Sequence, residues 1–121
     1  MCIQRCGLVA SGSFATTDHT RPKNLIQVII DNGANGSTGF QRSFTAGHLH
    51  LDQVARASGI AQVSTVTKAE EVAPAIAASL KSEHGPSVIV VRTEIGMPDG
   101  IAVIPLDPIE IRDRFMTSIG R

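Results

Sequence analysis

Tryptophan and tyrosine are absent from the 121 residues, and Phe14, Phe40, Phe44 and Phe115 make up the whole aromatic complement. Stacking on nucleobases or sugar rings is therefore poorly supplied. Lysine plus arginine number 11, as do aspartate plus glutamate, so no net field draws in nucleic acid or an anionic membrane. No apolar stretch approaches the roughly 20 residues that cross a bilayer. The N-terminal MCIQRCGLVASG has too short an apolar segment for a secretory signal. The expectation is a cytoplasmic protein that binds neither nucleic acid nor membrane. Cysteine is scarce as well: Cys2 and Cys6 are the whole supply, and a C-x3-C pair without two further ligands at finger spacing reads as two reduced thiols.

What is there is one domain's worth of chain, 1–121, with 42% apolar residues, eleven glycines and six prolines, enough for a single core. LIQVII at 25–30 and SVIVV at 87–91 are apolar β-branched runs of strand length, each following a turn signal, and 61–66 is a weaker third. Nearly continuous apolar runs are the mark of strands buried on both faces of a parallel sheet. Between them lie helical patterns. Leu51, Val54, Ala55 and Ser58 share a face, with Gly59 at the C-terminal cap position. Thr67-x-x-Glu70 reads as a capping box for a helix that turns Val72, Ala73, Ile76, Ala77 and Leu80 to a sheet and is kinked or unravelled at Pro74. Asp107-Pro108-x-Glu110 opens a third helix running through Ile111 and Phe115.

The alternation predicts an α/β fold with three layers, a parallel sheet of three or four strands carrying helices on both faces. Residues 93–106 read as an irregular connection with one Pro-Asp-Gly turn. A sheet this small leaves edges that call for covering, which predicts a partner chain.

The first strong strand ends in DNGANGSTGFQ, residues 31–41. Ligands of open parallel sheets bind beyond the carboxyl ends of the strands, and Asp31-Asn32 stands there. The glycines at 33, 36 and 39 let backbone approach a ligand, and exposed amides can cradle phosphate oxygens. An asparagine oxygen and a backbone carbonyl are neutral hard ligands suited to a magnesium ion shared with a diphosphate. Glycine and asparagine mark ordinary turns equally often. The spacing is neither G-x-G-x-x-G nor a P-loop, which weighs against a generic nucleotide-binding fold.

Residues 12–41, GSFATTDHTRPKNLIQVIIDNGANGSTGFQ, with LDQVARASGI at 51–60 and IPLDPIEIRDRFM near the end, resemble the cofactor diphosphate-binding domain of thiamine diphosphate-dependent decarboxylases, and among these the phosphonopyruvate and sulfopyruvate decarboxylases. The likeness runs over about residues 12–116. The resemblance implies the thiamine diphosphate-binding fold, incomplete at its N-terminus, so that the chain is the C-terminal part of such a domain. It implies thiamine diphosphate and magnesium as cofactors and a small 2-oxo acid as substrate. It makes Asn32, through its side chain, and Ala34, through its carbonyl, the magnesium ligands. Gly33, Ala34, Asn35 and Gly36 become the cofactor-binding stretch. Asn35 stands where the family carries an aromatic residue.

The family's Gly-Asp-Gly, whose aspartate supplies the carboxylate ligand, has no counterpart. Counting back from Asn32 lands on Gln4, and the first acidic residue of the chain is Asp18. Two readings follow. The chain is a component of a decarboxylase, completed by copies of itself or by a pyrimidine-binding partner chain and inactive alone, or it is a truncated or degenerate α/β module that assembles without cofactor. No catalytic residue can be assigned. His48-Leu49-His50 has a metal-binding spacing with no third ligand nearby, which reads as a solvated loop or as a group reaching substrate in an assembled site. Ser37 and Thr38 are hydroxyl contacts for an anion. Arg21, Lys23 and Arg42 flank the candidate site as cations for a phosphonate or sulfonate, or as solvated loop ends.

Overall fold

A computed structural model describes residues 2–5 by their backbone, and 11–36, 39–82, 84–96 and 107–120. Four parallel strands form the sheet in the order β1 (Cys2–Arg5), β2 (Ile26–Asp31), β6 (Ser87–Arg92), β5 (Gln62–Val66). The path leaves β1 through α1 (Gly12–Thr20) into β2. It then crosses through a small hairpin, β3 (Ala34–Asn35) and β4 (Gln41–Arg42), and α2 (Leu51–Ala57) to the far strand β5, returning through α3 (Ala69–Lys81) to β6 between them. The first two crossovers run in one direction and the third runs back. A right-handed connection must then place α3 on the face opposite α1 and α2.

The core divides in that way. Phe14 of α1 and Leu51 and Ala55 of α2 pack with Ile29, Val63, Val88 and Val90. Val72, Ala75 and Ile76 of α3 pack with Ile26, Val28, Val66 and Ile89. Register explains the division. Ile29 pairs with Val90 and Val28 with Ile89, so neighbours across the ladder share a face while successive residues alternate. Ile29, Val88, Ile89 and Val90 are fully buried, each worth about 1.5 to 3 kcal/mol of transfer free energy. The α/β fold with a parallel sheet is as expected.

Several elements differ from expectation. The strand β1 and the helix α1 were not foreseen, because neither carries a periodic apolar pattern; α1 buries only Phe14 and Thr17. Its anchor is polar as well, Gln27 of β2 donating from Nε2 to Ser13 Oγ at 2.9 Å. The start of α3 lies one residue later than the predicted box: the Glu71 carboxylate, not that of Glu70, accepts from the Thr67 and Lys68 amides at 3.3 and 3.4 Å. The helix continues through Pro74 to Lys81 without a break in its assignment. Its inner face is Val72, Ala75 and Ile76, because helical spacing from Val72 selects i+3 and i+4 and leaves Ala73 and Ala77 outside; Leu80, in the last turn, is 72% exposed.

The helix stops are as read. Gly59 takes φ +99°, its amide bonds Arg56 O at 3.0 Å and that of Ile60 bonds Ala55 O at 3.2 Å, a Schellman closure that drops Ile60 into the core. Asp107 caps α4 (Pro108–Ser118) by accepting from the Ile109 amide at 2.8 Å. No residue of α4 is buried. The Pro98-Asp99-Gly100 turn lies outside the described residues.

Candidate functional site

The parallel sheet has one carboxyl edge, and β2 delivers Asp31 and Asn32 to it. Thr93 beyond β6 bonds its amide to Asp31 O at 2.9 Å, holding the two strand ends level. Two consecutive Asx turns follow. Asp31 Oδ1 accepts from the Gly33 amide at 3.1 Å, and Asn32 Oδ1 accepts from the Ala34 amide at 3.2 Å. Gly33 sits at φ +66°, and a Cβ there would lie 3.1 Å from Ala46 Cβ. The turn is closed against the 3-10 turn Phe44–Ala46 so tightly that glycine is required.

A hydroxyl relay locks the same loop. Asp31 is buried, at 7% exposure, and its Oδ1 receives the Thr45 hydroxyl at 2.6 Å. Since Thr45 spends its one proton on the carboxylate, it accepts from Ser43 Oγ at 2.7 Å. The Ser43 amide in turn donates to Gly33 O at 2.9 Å. The start and finish of the β2-to-α2 connection are thereby tied together around Gly33 and Ala34.

The residues foreseen as ligands fall along this turn. Asn32 and Gly33 are half-buried, Ala34 is buried in β3, and Asn35 beside it accepts the Phe40 amide at 3.0 Å. Gly36 leaves the hairpin with the Phe40 ring 3.5 Å from where its Cβ would stand. Ser37 and Thr38 lie outside the described residues, as does Cys6. Within this stretch Ala34–Asn35 pairs with Gln41–Arg42 as a short two-stranded hairpin.

The cations are not grouped as expected. Arg21 and Lys23 precede β2 and so stand at the amino edge, away from the turn, with Arg21 paired to Asp18 at 3.0 Å. A helix entering a parallel strand must end at that edge, which is why the expectation failed for both. Arg42 remains on the hairpin, its guanidinium 3.4 Å from Ala46 O. The pattern had not singled out Arg92, the last residue of β6 and the register partner of Asp31. Its guanidinium donates to His50 Nδ1, and His50 stands immediately before α2 at the same edge. The signal that finds Arg92 is the rule that found Asn32, applied to the second apolar run. His48 and His50 belong to no cluster of three or more metal-ligating side chains among the described residues.

As a cation site, the turn presents hard oxygens of the right kind, Asn32 Oδ1 with a second lone pair beyond its bond to Ala34, and the Ala34 carbonyl. Both are neutral. The turn fits the neutral half of a magnesium shell; the carboxylate beside it, Asp31, takes both the Thr45 hydroxyl and the Gly33 amide on Oδ1. The strand β1 runs beside β2, with Gln4 opposite Ile29; no acidic residue precedes Asp18.

The fold is that of a small α/β domain with a parallel sheet, and comparison with known proteins narrows the class. The chain is 34% identical over 114 residues to the sulfopyruvate decarboxylase subunit beta of Methanocaldococcus jannaschii, a match covering 94% of this chain and 59% of that one. It is 38% identical over 114 residues to the sulfopyruvate decarboxylase subunit beta of Methanococcus maripaludis, covering 94% and 60%. It is 32% identical over 108 residues to the phosphonopyruvate decarboxylase of Streptomyces viridochromogenes, covering 89% and 27%. A scan against protein-family models finds no match. Over most of its own length the chain is thus similar to sulfopyruvate and phosphonopyruvate decarboxylases, and it spans about 60% of the length of the two subunit-beta relatives. No helix among the described residues is long and apolar enough to cross a membrane.

Proposed function

We propose that the chain is the diphosphate-holding component of a thiamine diphosphate-dependent 2-oxo acid decarboxylase of the sulfopyruvate or phosphonopyruvate type. The observation that carries this reading is the Asn32-Gly33-Ala34 turn at the carboxyl edge, in a chain related to those enzymes over most of its length. When bound, the cofactor supplies the electron sink that decarboxylation of a 2-oxo acid requires. The protein's own part is anchoring. Asn32 Oδ1 and the Ala34 carbonyl would hold magnesium, and the backbone at Gly36 would face the phosphate oxygens, the Gly33 amide being spent on Asp31. The buried Asp31, Thr45 and Ser43 relay keeps those groups fixed before ligand arrives, so little ordering cost falls on binding.

The remaining groups come from a second chain, either a copy of this one or a pyrimidine-binding partner. Two relatives being named as beta subunits supports that arrangement. Titration with thiamine diphosphate and magnesium tests the reading by thermal melting. A ligand specific for the folded state at a hundred times its Kd adds about 2.7 kcal/mol, and Asn32→Ala should remove most of the gain. Absence of any gain, alone and with a pyrimidine-binding chain added, rejects it.

The second reading, an assembling module that binds no cofactor, is favoured by one observation, that the Asn32 and Ala34 oxygens of the turn are neutral. The same titration separates the two. The module predicts no gain from cofactor but a concentration-dependent melting temperature.

A further inference from the structure

The guanidinium of Arg92 is half-buried at the carboxyl edge. It makes one hydrogen bond, to His50 Nδ1. Neither ion pair among the described residues includes it. Arginine has only donors, so the imidazole accepts at Nδ1 and keeps its proton on Nε2; the contact orients the guanidinium without neutralising it. Asp31, the register partner across the ladder, is turned to Thr45 and Gly33 instead. A partly desolvated cation with four unspent N–H groups, steadied on one side by a neutral ring, is arranged to receive an oxyanion.

We propose that Arg92, oriented by His50, anchors a phosphate, phosphonate or sulfonate oxygen at the carboxyl edge beside the Asn32 turn. The inference rests on the proposed function for its choice of ligand and adds a positioning residue to it. Two sources share this chemistry, the diphosphate of the cofactor and the acidic head of the substrate. Arg92 acts by charge and by a planar fork that lysine does not reproduce.

The test is nuclear magnetic resonance of the whole chain, reading the Arg92 Nε and His50 ring signals together with the Gly33, Ala34 and Gly36 amides. The probes are magnesium pyrophosphate and sulfoacetate, added separately. A shift at Arg92 and His50 with sulfoacetate assigns the residue to the substrate head, and one with magnesium pyrophosphate assigns it to the diphosphate; either supports the proposal. Arg92→Gln should then weaken that probe by about tenfold or more, the cost of one charge-assisted hydrogen bond. Arg92→Lys should recover only part of the loss, and His50→Ala should weaken binding less than Arg92→Gln. A dispersed spectrum in each variant shows that the fold is intact.

Silence at Arg92 with both probes while the turn amides respond to magnesium pyrophosphate overturns the proposal and leaves the proposed function standing. A response at Arg92 with silent turn amides does the reverse. Equal affinity of Arg92→Gln and the parent chain for the responding probe overturns the proposal too.

Discussion

Replacing Thr45 by valine removes one hydroxyl from the relay and keeps the side chain's shape. In the parent, the Thr45 hydroxyl donates to Asp31 Oδ1 at 2.6 Å, and the Gly33 amide donates to the same atom at 3.1 Å. Asp31 as a residue is 7% exposed, so water replaces the lost donor poorly. A hydrogen bond to a charged group is worth about 1.5 to 3 kcal/mol, with the larger cost where the group left behind is buried. The methyl that replaces the hydroxyl fills nearly the same volume, and Ser43 is open enough to find solvent, so about 2 kcal/mol is the expected net loss. Against a total of about 5 to 15 kcal/mol this is substantial. In urea, with a slope of about 1 to 3 kcal/mol per molar, the midpoint falls by about 1 M. Thr45→Ser keeps the hydroxyl and should lose far less. A valine variant within about 0.5 kcal/mol of the parent, the ordinary range for surface changes, refutes the reasoning. So does a serine variant that loses as much as valine.

Gly33→Ala places a side chain at φ +66°, 3.1 Å from Ala46 Cβ; it should cost about 1 to 3 kcal/mol in thermal melts and loosen binding of magnesium pyrophosphate in titrations. Phe14→Ala empties the fully buried site through which α1 reaches the core, with a loss of about 3 to 5 kcal/mol in urea unfolding. Pro74→Ala restores an amide that can bond the Glu70 carbonyl in the middle of α3 and should raise stability by about 1 kcal/mol or more, up to the intrinsic proline penalty of about 3 kcal/mol. Circular dichroism should show no loss of helix.

The strands at the centre of the sheet were legible because burial on both faces leaves little choice but a continuous β-branched run, as in Val88, Ile89 and Val90. The helix stop at Gly59 and the helix start at Asp107 were legible because a left-handed backbone and an N-cap each demand a particular residue type. What escaped depended on partners distant in sequence. Cys2–Arg5 becomes a strand through pairing with β2, and α1 is held by one ring and a glutamine bond that no local period announces. In the site, the Asp31-Asn32 end was visible as a strand terminus. The bonds from Thr45, fourteen residues on, and from Arg92 to His50, forty-two apart, were not. Arg21 and Lys23 show the converse error, since closeness to the turn in sequence was read as closeness in space.

The charge at this edge decides the order in which a metal could arrive. Asn32 Oδ1 and the Ala34 carbonyl are neutral, Asp31 holds its two donors on Oδ1, and Arg92 is cationic at the end of the neighbouring strand. Bare magnesium gives up its water reluctantly, and two neutral oxygens near a guanidinium offer it little inducement. On the proposed function, a magnesium pyrophosphate complex keeps negative charge on its phosphate oxygens, which Arg92 and the Gly36 backbone would meet while Asn32 would complete the ion's shell. Magnesium chloride alone at millimolar concentration should therefore leave the melting temperature of the chain unchanged, pyrophosphate alone should raise it slightly, and the two together should raise it by more than the sum. A rise with magnesium alone equal to that of the mixture would mean that a carboxylate completes the shell, the Asp31 side chain being the one at hand.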